Sequence, residues 1–365
     1  MLLEEYRKVV LDEPTIKNND GYDVFVHGSS ISPDGSIFIA IFSDRRIGVY
    51  PFGNGIDNSS DDVDCGISDV LRPRFHIKSI DEIRSVCFFP NYHENNPDSC
   101  CLLTASRGTP IHLYDTHKGQ RHFTFKPNNI RDELAEVYSL NFQPLGKYFL
   151  GGSKSTIHVF DIEMPGHSIE VRPLSTRSGN KFGIVSAISH NPYAATMYAC
   201  GDYNSNIGVF DHNESRQRSI YAPFTDDEHK LGPVTQVKWF DDHTLLVGSR
   251  SDNHIRAFDI RGNKYSPIMR YHRPSRTNQR ITFDVRNDQI VSGTDDGNLV
   301  IYNGKTGNAL TKTKICDTVV SSASYHPKLP VIVTSRGTRV YSAYKTDDKE
   351  NKTAIQLWKY AIVEK

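Results

Sequence analysis

The amino-acid sequence predicts an all-β fold built from repeated four-stranded sheets. Its 365 residues include 18 tyrosines and 18 phenylalanines but only 4 methionines, a balance that favours strands over a helical bundle. A repeat also runs through the chain: EVYSLNFQPLGKYFLGGSKSTIHVFDI (136–162) and GPVTQVKWFDDHTLLVGSRSDNHIRAFDI (232–260) share an alternating strand, a turn, an apolar strand ending in Gly-Ser, a tight polar turn and a strand ending in Phe-Asp. The pattern recurs in residues 83–115, 184–211 and 281–303.

Seven repeats are marked by the aromatic residue that closes the third strand. These markers are Tyr50, Tyr114, Phe160, Phe210, Phe258, Tyr302 and Trp358. Their spacings of 64, 46, 50, 48, 44 and 56 residues are close to the WD-repeat unit of about 40–45 residues with loop insertions. We therefore predict a single-domain, seven-bladed WD-repeat β-propeller, which leaves only short sheet edges. The predicted blades lie near residues 24–52, 83–125, 136–172, 183–224, 232–271, 279–316 and 318–360.

Both ends of the chain are expected to build the last blade. Few residues follow Trp358, so we predict that EYRKVVL (5–11) supplies the outer strand of that blade and closes the ring. Two polar segments without periodicity, residues 53–69 and 346–353, are predicted to be mobile surface insertions.

Composition excludes several classes of protein. The 43 basic and 43 acidic residues cancel, so attraction to nucleic acid or membrane would need an uneven charge distribution. The six cysteines form no CxxC pair, which favours reduced core thiols of an intracellular protein over a zinc site. The start MLLEEYRKVV lacks the apolar region of a signal peptide. No apolar run is long enough to span a bilayer.

Patterns typical of enzymes are absent. The sequence contains no G-x-S-x-G, H-E-x-x-H or G-x-G-x-x-G. NGKTGN (303–308) lacks the glycine that opens a P-loop and falls where a hairpin turn is expected. His112, His158 and His254 lie near the starts of third strands, where packing and turn roles are expected. We therefore expect no catalytic residue, metal ion or cofactor.

Basic residues are predicted to gather on one face of the propeller. In this architecture the turns between second and third strands open on the same face as the links between blades. The first turn residue of blades one to seven is Asp44, Arg107, Lys154, Asp202, Arg250, Asp295 and Arg336, so four of the seven are cations. The link between blades three and four adds Arg177 and Lys181. The link RPSRTNQR (273–280) adds Arg273, Arg276 and Arg280.

Clustered arginines on this face favour a phosphate-bearing partner. Guanidinium groups form bidentate hydrogen bonds with phosphate and stack on bases. Beside them, Thr277, Asn278 and Gln279 are candidates to read base edges, and Tyr203 and Tyr271 to stack on bases. RNA is the nucleic acid expected; no DNA or membrane partner is. Solvated loop cations and a protein interface remain alternatives, because arginine is common in both.

Arg280 has a second interpretation. It stands at the start of an inner strand, so its side chain could face the central channel and tie blades together through carboxylates. Its replacement would then lower stability, and lost binding would follow from unfolding.

Several runs resemble the telomerase Cajal body protein family, and they occur in the order of that family. They are SRGTPIHLYD (106–115), RDELAEVYSLNF (131–142), PGHSIEVR (165–172), GIVSAISHNPYAATMYACGDY (183–203), TNQRITFD (277–284), SYHPKLPVIVTSRGTRV (324–340) and IQLWKY (355–360). The resemblance covers most of the chain and is weakest over residues 1–80.

This resemblance implies a non-enzymatic scaffold that binds the CAB box of H/ACA-type small Cajal-body RNAs, including telomerase RNA. It further implies Cajal-body localisation of these RNAs, ribonucleoprotein assembly, telomere maintenance, and protein partners on the opposite face. RPSRTNQR would belong to the RNA-facing rim. The long low-complexity N-terminal segment and Gly-rich tail of human-type members are not found here, nor is a basic nuclear-import run, so nuclear residence is implied by resemblance alone. The alternative is a protein-interaction platform for ribonucleoprotein assembly, for example spliceosomal, without direct RNA contact.

Overall fold

A computed structural model gives the fold of most of the chain. The described residues are 24–52, 72–129, 131–176, 179, 181–213, 219, 224–261, 266–337 and 354–360, together with the backbone of 3–9. They form seven antiparallel sheets in a ring, which confirms the predicted seven-bladed β-propeller. Within these ranges there is one 3-10 turn, at Pro97–Ser99, and no α-helix. No helix with the length and apolar character to cross a bilayer occurs among them.

The strands are short, as expected for propeller blades. In chain order the first fourteen are β1 (Leu3–Val9), β2 (Val26–Ile31), β3 (Ile37–Phe42), β4 (Arg46–Pro51), β5 (Phe75–Lys78), β6 (Ile83–Phe88), β7 (Cys101–Ser106), β8 (Ile111–Asp115), β9 (Arg121–Lys126), β10 (Ser139–Phe142), β11 (Tyr148–Gly152), β12 (Thr156–Asp161), β13 (Gly166–His167) and β14 (Glu170–Pro173). The others are β15 (Val185–His190), β16 (Met197–Asp202), β17 (Ile207–Asp211), β18 (Val234–Trp239), β19 (Thr244–Ser249), β20 (His254–Asp259), β21 (Met269–His272), β22 (Phe283–Arg286), β23 (Gln289–Gly293), β24 (Asn298–Asn303), β25 (Ala309–Lys314), β26 (Val320–Tyr325), β27 (Val331–Arg336) and β28 (Ala354–Tyr360).

Blades one to six take their strands in chain order from the channel outward, and blade seven adds β1 outside β28. Blades one to seven are β2–β5, β6–β9, β10 with β11, β12 and β14, β15–β17, β18–β21, β22–β25, and β26–β28 with β1. Blade four has three strands among the described residues. The two-residue strand β13 leaves blade three and pairs in parallel with β9 of blade two.

The two ends of the chain meet in blade seven. Strand β1 pairs antiparallel with β28, from Leu3 opposite Tyr360 to Val9 opposite Ile355. Blades seven and one are then joined at the channel, where the Ser29 amide donates to Ser322 Oγ at 3.0 Å. The proposed insertions at 53–69 and 346–353 lie outside the described residues.

The hydrophobic core consists of seven clusters, and each lies between two neighbouring blades. Because both faces of every blade are covered, the strands are apolar on both faces: all six residues of β19 are buried. Six of the seven marker aromatics are buried and Tyr114 is partly buried. Phe160, for example, stacks on Phe149 with ring centroids 4.8 Å apart.

The glycine near the end of several second strands has a packing reason. A Cβ on Gly201 would collide with Val234, the first residue of the inner strand in the next blade. Gly293 has the same relation to Val320. The Gly-Ser and Gly-Asp endings seen in the sequence therefore allow neighbouring blades to pack closely around the channel.

Side chains of the inner strands also connect neighbouring blades. Gln236 of blade five binds the backbone of Phe283 in blade six, donating to its carbonyl at 2.8 Å and accepting from its amide at 2.9 Å. The Asp284 carboxylate accepts the Tyr325 amide of blade seven at 2.9 Å. These bonds fix the wall of the channel.

The five cysteines within the described residues are free thiols, and all but the half-buried Cys87 are buried. Burial raises the pKa of the Cys87 thiol to about 11 and that of Cys101 to about 12. Since the thiolate is the reactive form, these groups are packing residues.

Candidate nucleic-acid interface

The turns and links that carry the predicted cations form one face. The backbone amides of Arg107, Arg250 and Asp295, in second-to-third-strand turns, donate to the carbonyls of link residues Glu82, Pro233 and Pro274 at 2.9, 2.9 and 3.1 Å. We call the surface made by these turns and links the upper face. The turns between first and second and between third and fourth strands form the lower face.

Four predicted cations are exposed on the upper face. They are Arg107, Lys154, Lys181 and Arg276. None of the four forms an ion pair within the described parts of the chain. The Arg276 amide donates to the Asp295 carboxylate at 2.5 Å, which holds the backbone and leaves the guanidinium outside. Arg177 lies outside the described residues.

Arg273 does not lie on the surface, contrary to the expectation from sequence. Its side chain is 0% exposed. Its guanidinium donates to the carbonyls of Ile281 and Ser249, each at 3.1 Å, and so connects blades six and five. Burial lowers the pKa of Arg273 to about 10. It is a structural residue and is removed from the candidate interface.

Tyr271 is also wrong as a stacking candidate. It is 1% exposed, and its hydroxyl donates to the Gly304 carbonyl at 2.5 Å. Tyr203, by contrast, is half-buried and lines the channel.

The polar residues of RPSRTNQR have different surroundings. Asn278 is exposed, and its side-chain oxygen accepts the Ser251 hydroxyl at 3.0 Å. Gln279 is half-buried and donates its amide to the Gly337 carbonyl at 2.8 Å, so it ties this link to blade seven. Arg336, the residue before Gly337, is half-buried, and its Nε has no hydrogen-bond partner.

The central channel opens between these loops. Its cavity has a volume of about 620 Å³ and is lined by the inner strands. Six lining residues carry charge: Glu82, Arg84, Lys238, Arg250, Arg280 and Asp284. Arg84 is balanced by Glu82 at 3.1 Å and Glu136 at 3.7 Å. Lys238 is balanced by Asp284.

Arg250 and Arg280 have no such balance. Arg250 lies over the Tyr203 ring, 4.9 Å from its centroid, with a long 3.4 Å hydrogen bond to the hydroxyl. Arg280 is half-buried at the same mouth. Burial lowers the pKa of Arg280, and the nearby positive charge of Arg250 lowers it further, while Tyr203 acts in the opposite direction. Arg280 therefore faces the channel, as one reading of the sequence required, but no carboxylate pairs with it among the described residues.

Sequence reasoning missed a second arginine–tyrosine pair at this mouth. The Arg84 guanidinium lies 5.7 Å from the centroid of the Tyr138 ring. The Tyr138 hydroxyl donates to Glu136 at 2.7 Å, and its pKa is raised to about 12 by burial and then by that carboxylate. The positions of the two residues in the repeat could have predicted this pair, because Arg84 lies in inner strand β6 and Tyr138 directly precedes inner strand β10.

One group of possible metal ligands occurs on the lower face. Asp241, Asp242 and His243 place ligand atoms within 4.8 Å of one another. Asp241 accepts the backbone amides of His243 and Thr244 at 2.9 and 2.6 Å. These bonds account for the cluster as a turn, and it lies away from the channel mouth.

Comparison with known proteins agrees with this architecture. The family model described as WD domain, G-beta repeat, matches residues 223–259, which include most of blade five. Telomerase Cajal body protein 1 of Homo sapiens is 27% identical over 329 residues, covering 87% of this chain and 58% of that protein. The Bos taurus protein of the same name is 26% identical over 345 residues, covering 91% of this chain and 61% of that protein. The chain thus spans about three-fifths of the length of these relatives.

A third relative matches along almost its whole length. Guanine nucleotide-binding protein negative regulator 1 of Schizosaccharomyces pombe is 25% identical over 386 residues, covering 96% of this chain and 90% of that protein. The resemblance to the telomerase Cajal body proteins is confirmed. Together with the propeller, it points to a scaffold without catalytic function.

Proposed function

We propose that this protein is a non-enzymatic RNA-binding scaffold for small H/ACA-type RNAs, including telomerase RNA. The observation that carries the proposal is the set of upper-face cations without carboxylate partners, in a propeller similar to telomerase Cajal body proteins. Unpaired surface cations attract phosphate, and release of counterions from RNA then favours binding.

The proposed contact residues fall into two groups. Arg107, Lys154, Lys181, Arg276 and Asn278 point outward and bind the RNA backbone and exposed base edges. Arg250, Gln279, Arg280 and Arg336 line or border the channel mouth. Arg177 belongs to the same link as Lys181 and remains in the proposal. This arrangement positions RNA over the channel, across several blades.

The rest of the proposal follows from the resemblance described under Sequence analysis. The RNA carries a CAB box, the complex resides in nuclear Cajal bodies, and the scaffold supports ribonucleoprotein assembly and telomere maintenance. Protein partners bind the lower face, and neither DNA nor membrane is a partner. No cofactor takes part.

Crosslinking tests the cargo. Ultraviolet irradiation of native cells, followed by sequencing of RNA attached to this protein, is expected to enrich H/ACA or telomerase RNA with crosslinked peptides from 270–280. If only spliceosomal RNA is enriched, the upper face remains the RNA-binding surface and the proposed H/ACA ligand is wrong. Background levels of RNA would refute RNA binding.

A charge-matched pair of variants tests the face. The triple change Arg107→Ala, Lys154→Ala, Arg276→Ala removes three unpaired upper-face cations. The control removes three exposed lower-face cations, Lys118, Lys147 and Lys328. We expect at least a tenfold loss of RNA affinity for the first triple and less than twofold for the second. Equal losses would mean non-specific attraction and would contradict the assignment.

The alternative of a protein-interaction platform has its own supporting observation. Leu145, Met164 and Tyr193 are 79, 62 and 69% exposed in lower-face turns of blades three and four. Apolar side chains exposed on neighbouring turns are typical of a protein contact. If this is the only function, ribonuclease treatment leaves the set of co-purified proteins intact, whereas RNA-dependent assembly releases them.

A further inference from the structure

The channel lining has an uncompensated positive charge at one end. Four of its side chains are cations and two are carboxylates. Arg84 and Lys238 account for the carboxylates through direct ion pairs. Arg84 also pairs with Glu136, so the lining cations left without a carboxylate partner among the described residues are Arg250 and Arg280, beside Tyr203 at the upper mouth.

Two adjacent, poorly hydrated guanidinium groups are costly unless an anion joins them. Among the described residues the Arg280 guanidinium forms no hydrogen bond with any of its nitrogens, and that of Arg250 forms only the long bond to the Tyr203 hydroxyl. A buried charge is normally paired or fully hydrogen-bonded. A phosphate oxygen placed between the two groups would accept from their terminal nitrogens and cancel the repulsion.

The site is specific to the mouth. Along the inner strands, hydroxyl groups already donate to backbone carbonyls: Ser186 to Val234 at 2.5 Å and Thr235 to Gly248 at 3.2 Å. At the far end Lys238 is paired with Asp284. An anion that enters from the upper face is therefore held at Arg250 and Arg280.

Two aromatic rings stand at the same mouth. Tyr203 and Tyr138 both line the cavity, and each has an arginine over its ring that restricts its orientation. Proteins that bind single strands stack bases on aromatic and guanidinium planes near a basic groove. Bases within a duplex are stacked on each other and unavailable for such contacts.

We propose that the upper mouth of the channel is a pocket for one unpaired nucleotide of the bound RNA. Its phosphate lies between Arg250 and Arg280, and its base contacts Tyr203 and Tyr138. The mouth is one end of the channel, whose whole volume is about 620 Å³. This inference rests on the proposed function and identifies the element that the propeller selects, an unpaired base at the centre of the upper face.

Methionine variants test the pocket. Arg250→Met and Arg280→Met remove the charge and keep an unbranched side chain. Each is expected to weaken binding of a single-stranded CAB-box oligonucleotide at least tenfold in fluorescence anisotropy, and to leave weak binding of the matching duplex within twofold. Arg280→Lys restores part of the loss.

Thermal melting separates a ligand residue from a structural one. Arg280→Met removes a half-buried charge that has no carboxylate partner among the described residues, so its melting temperature equals or exceeds that of the unsubstituted protein. Arg286→Met is the control, because Arg286 donates to the carbonyls of His326 and Leu329 at 2.5 and 2.6 Å and its loss lowers the melting temperature.

Each outcome has one meaning. If the unsubstituted protein binds the oligonucleotide and the double variant Arg250→Met, Arg280→Met binds it equally, the pocket is refuted and the proposed function stands. If the unsubstituted protein binds neither strand nor duplex, both fail. If adenosine monophosphate displaces the oligonucleotide at equimolar concentration, the pocket holds a free nucleotide and the RNA assignment is overturned.

Discussion

Arg273 and Arg276 lie three residues apart in one link, and the structure gives them opposite roles. Arg273 is 0% exposed and connects two blades, whereas Arg276 is exposed and has no ion pair. Replacing each by alanine removes the same charge and the same atoms. The two variants therefore separate a loss of stability from a loss of RNA binding.

The expected cost of Arg273→Ala follows from three terms. Two buried carbonyls, of Ser249 and Ile281, lose their donor, at about 1–3 kcal/mol each. The missing side chain leaves a cavity, which costs about 2 kcal/mol. Removing the buried charge offsets this, since lowering the pKa from 12.5 to about 10 corresponds to about 3 kcal/mol. The net loss is about 3 kcal/mol.

Thermal and urea unfolding of both variants is the measurement. Arg273→Ala should lower the free energy of unfolding by about 3 kcal/mol, and Arg276→Ala should change it by less than about 0.5 kcal/mol, as for other surface substitutions. RNA affinity below the unfolding transition should fall for Arg276→Ala and stay unchanged for Arg273→Ala. An Arg273→Ala protein as stable as the unsubstituted one would refute the structural role.

Three further predictions concern acid, charge and salt. Burial lowers the pKa of His158 to about 4 and of His190 to about 3. The unfolded chain therefore binds protons at these imidazoles first as the pH falls, so the free energy of unfolding is highest above about pH 6.5 and decreases below it. By pH 4.5 each histidine should lower the free energy of unfolding by about 3 kcal/mol relative to pH 7.5. Equal urea midpoints at pH 7.5 and 4.5 would contradict this. Asp226→Asn should cost about 3–5 kcal/mol in urea unfolding, because the fully buried Asp226 carboxylate accepts from Arg256 at 2.6 Å and Arg270 at 2.8 Å; the exposed Asp227→Asn is the control. The logarithm of the RNA association constant should fall linearly with the logarithm of salt concentration, and Arg107→Ala should reduce the slope by about 0.7; an unchanged slope would exclude Arg107 from phosphate contact.

The architecture was readable from the sequence because each blade repeats the same physical demand. A blade is covered on both faces, so its apolar runs, its closing aromatic and its glycine recur once per repeat. Phe160, Phe210 and Phe258 are all buried for this reason. The outer strand of blade seven was placed at 5–11, whereas the structure has it at Leu3–Val9. The exact bounds of a strand cannot be predicted from a short segment without strict alternation of apolar and polar residues.

The candidate site was only partly predictable from the sequence, because the links between blades lack the alternating pattern that indicates side-chain direction in a strand. Composition placed Arg273, Arg276 and Arg280 in one basic segment, yet their side chains enter the core, the solvent and the channel mouth respectively. Side-chain direction in such a segment depends on hydrogen bonds from distant residues, as when Asp295 fixes the Arg276 amide. Arg84 was missed for a related reason: its role depends on Glu136 and Tyr138 of the next blade.

Arginines with a structural role share one property in this fold. Arg256 bonds to two carboxylates, and Arg273 and Arg286 bond to backbone carbonyls. Each of these guanidinium groups has at least two acceptors within the chain, although the Nε of Arg273 has none. Arg250 and Arg280 differ: among the described residues the Arg280 guanidinium forms no hydrogen bond, and that of Arg250 forms only the 3.4 Å bond to the Tyr203 hydroxyl. An acceptor brought by a ligand would give this pair the hydrogen bonds that the described residues do not supply.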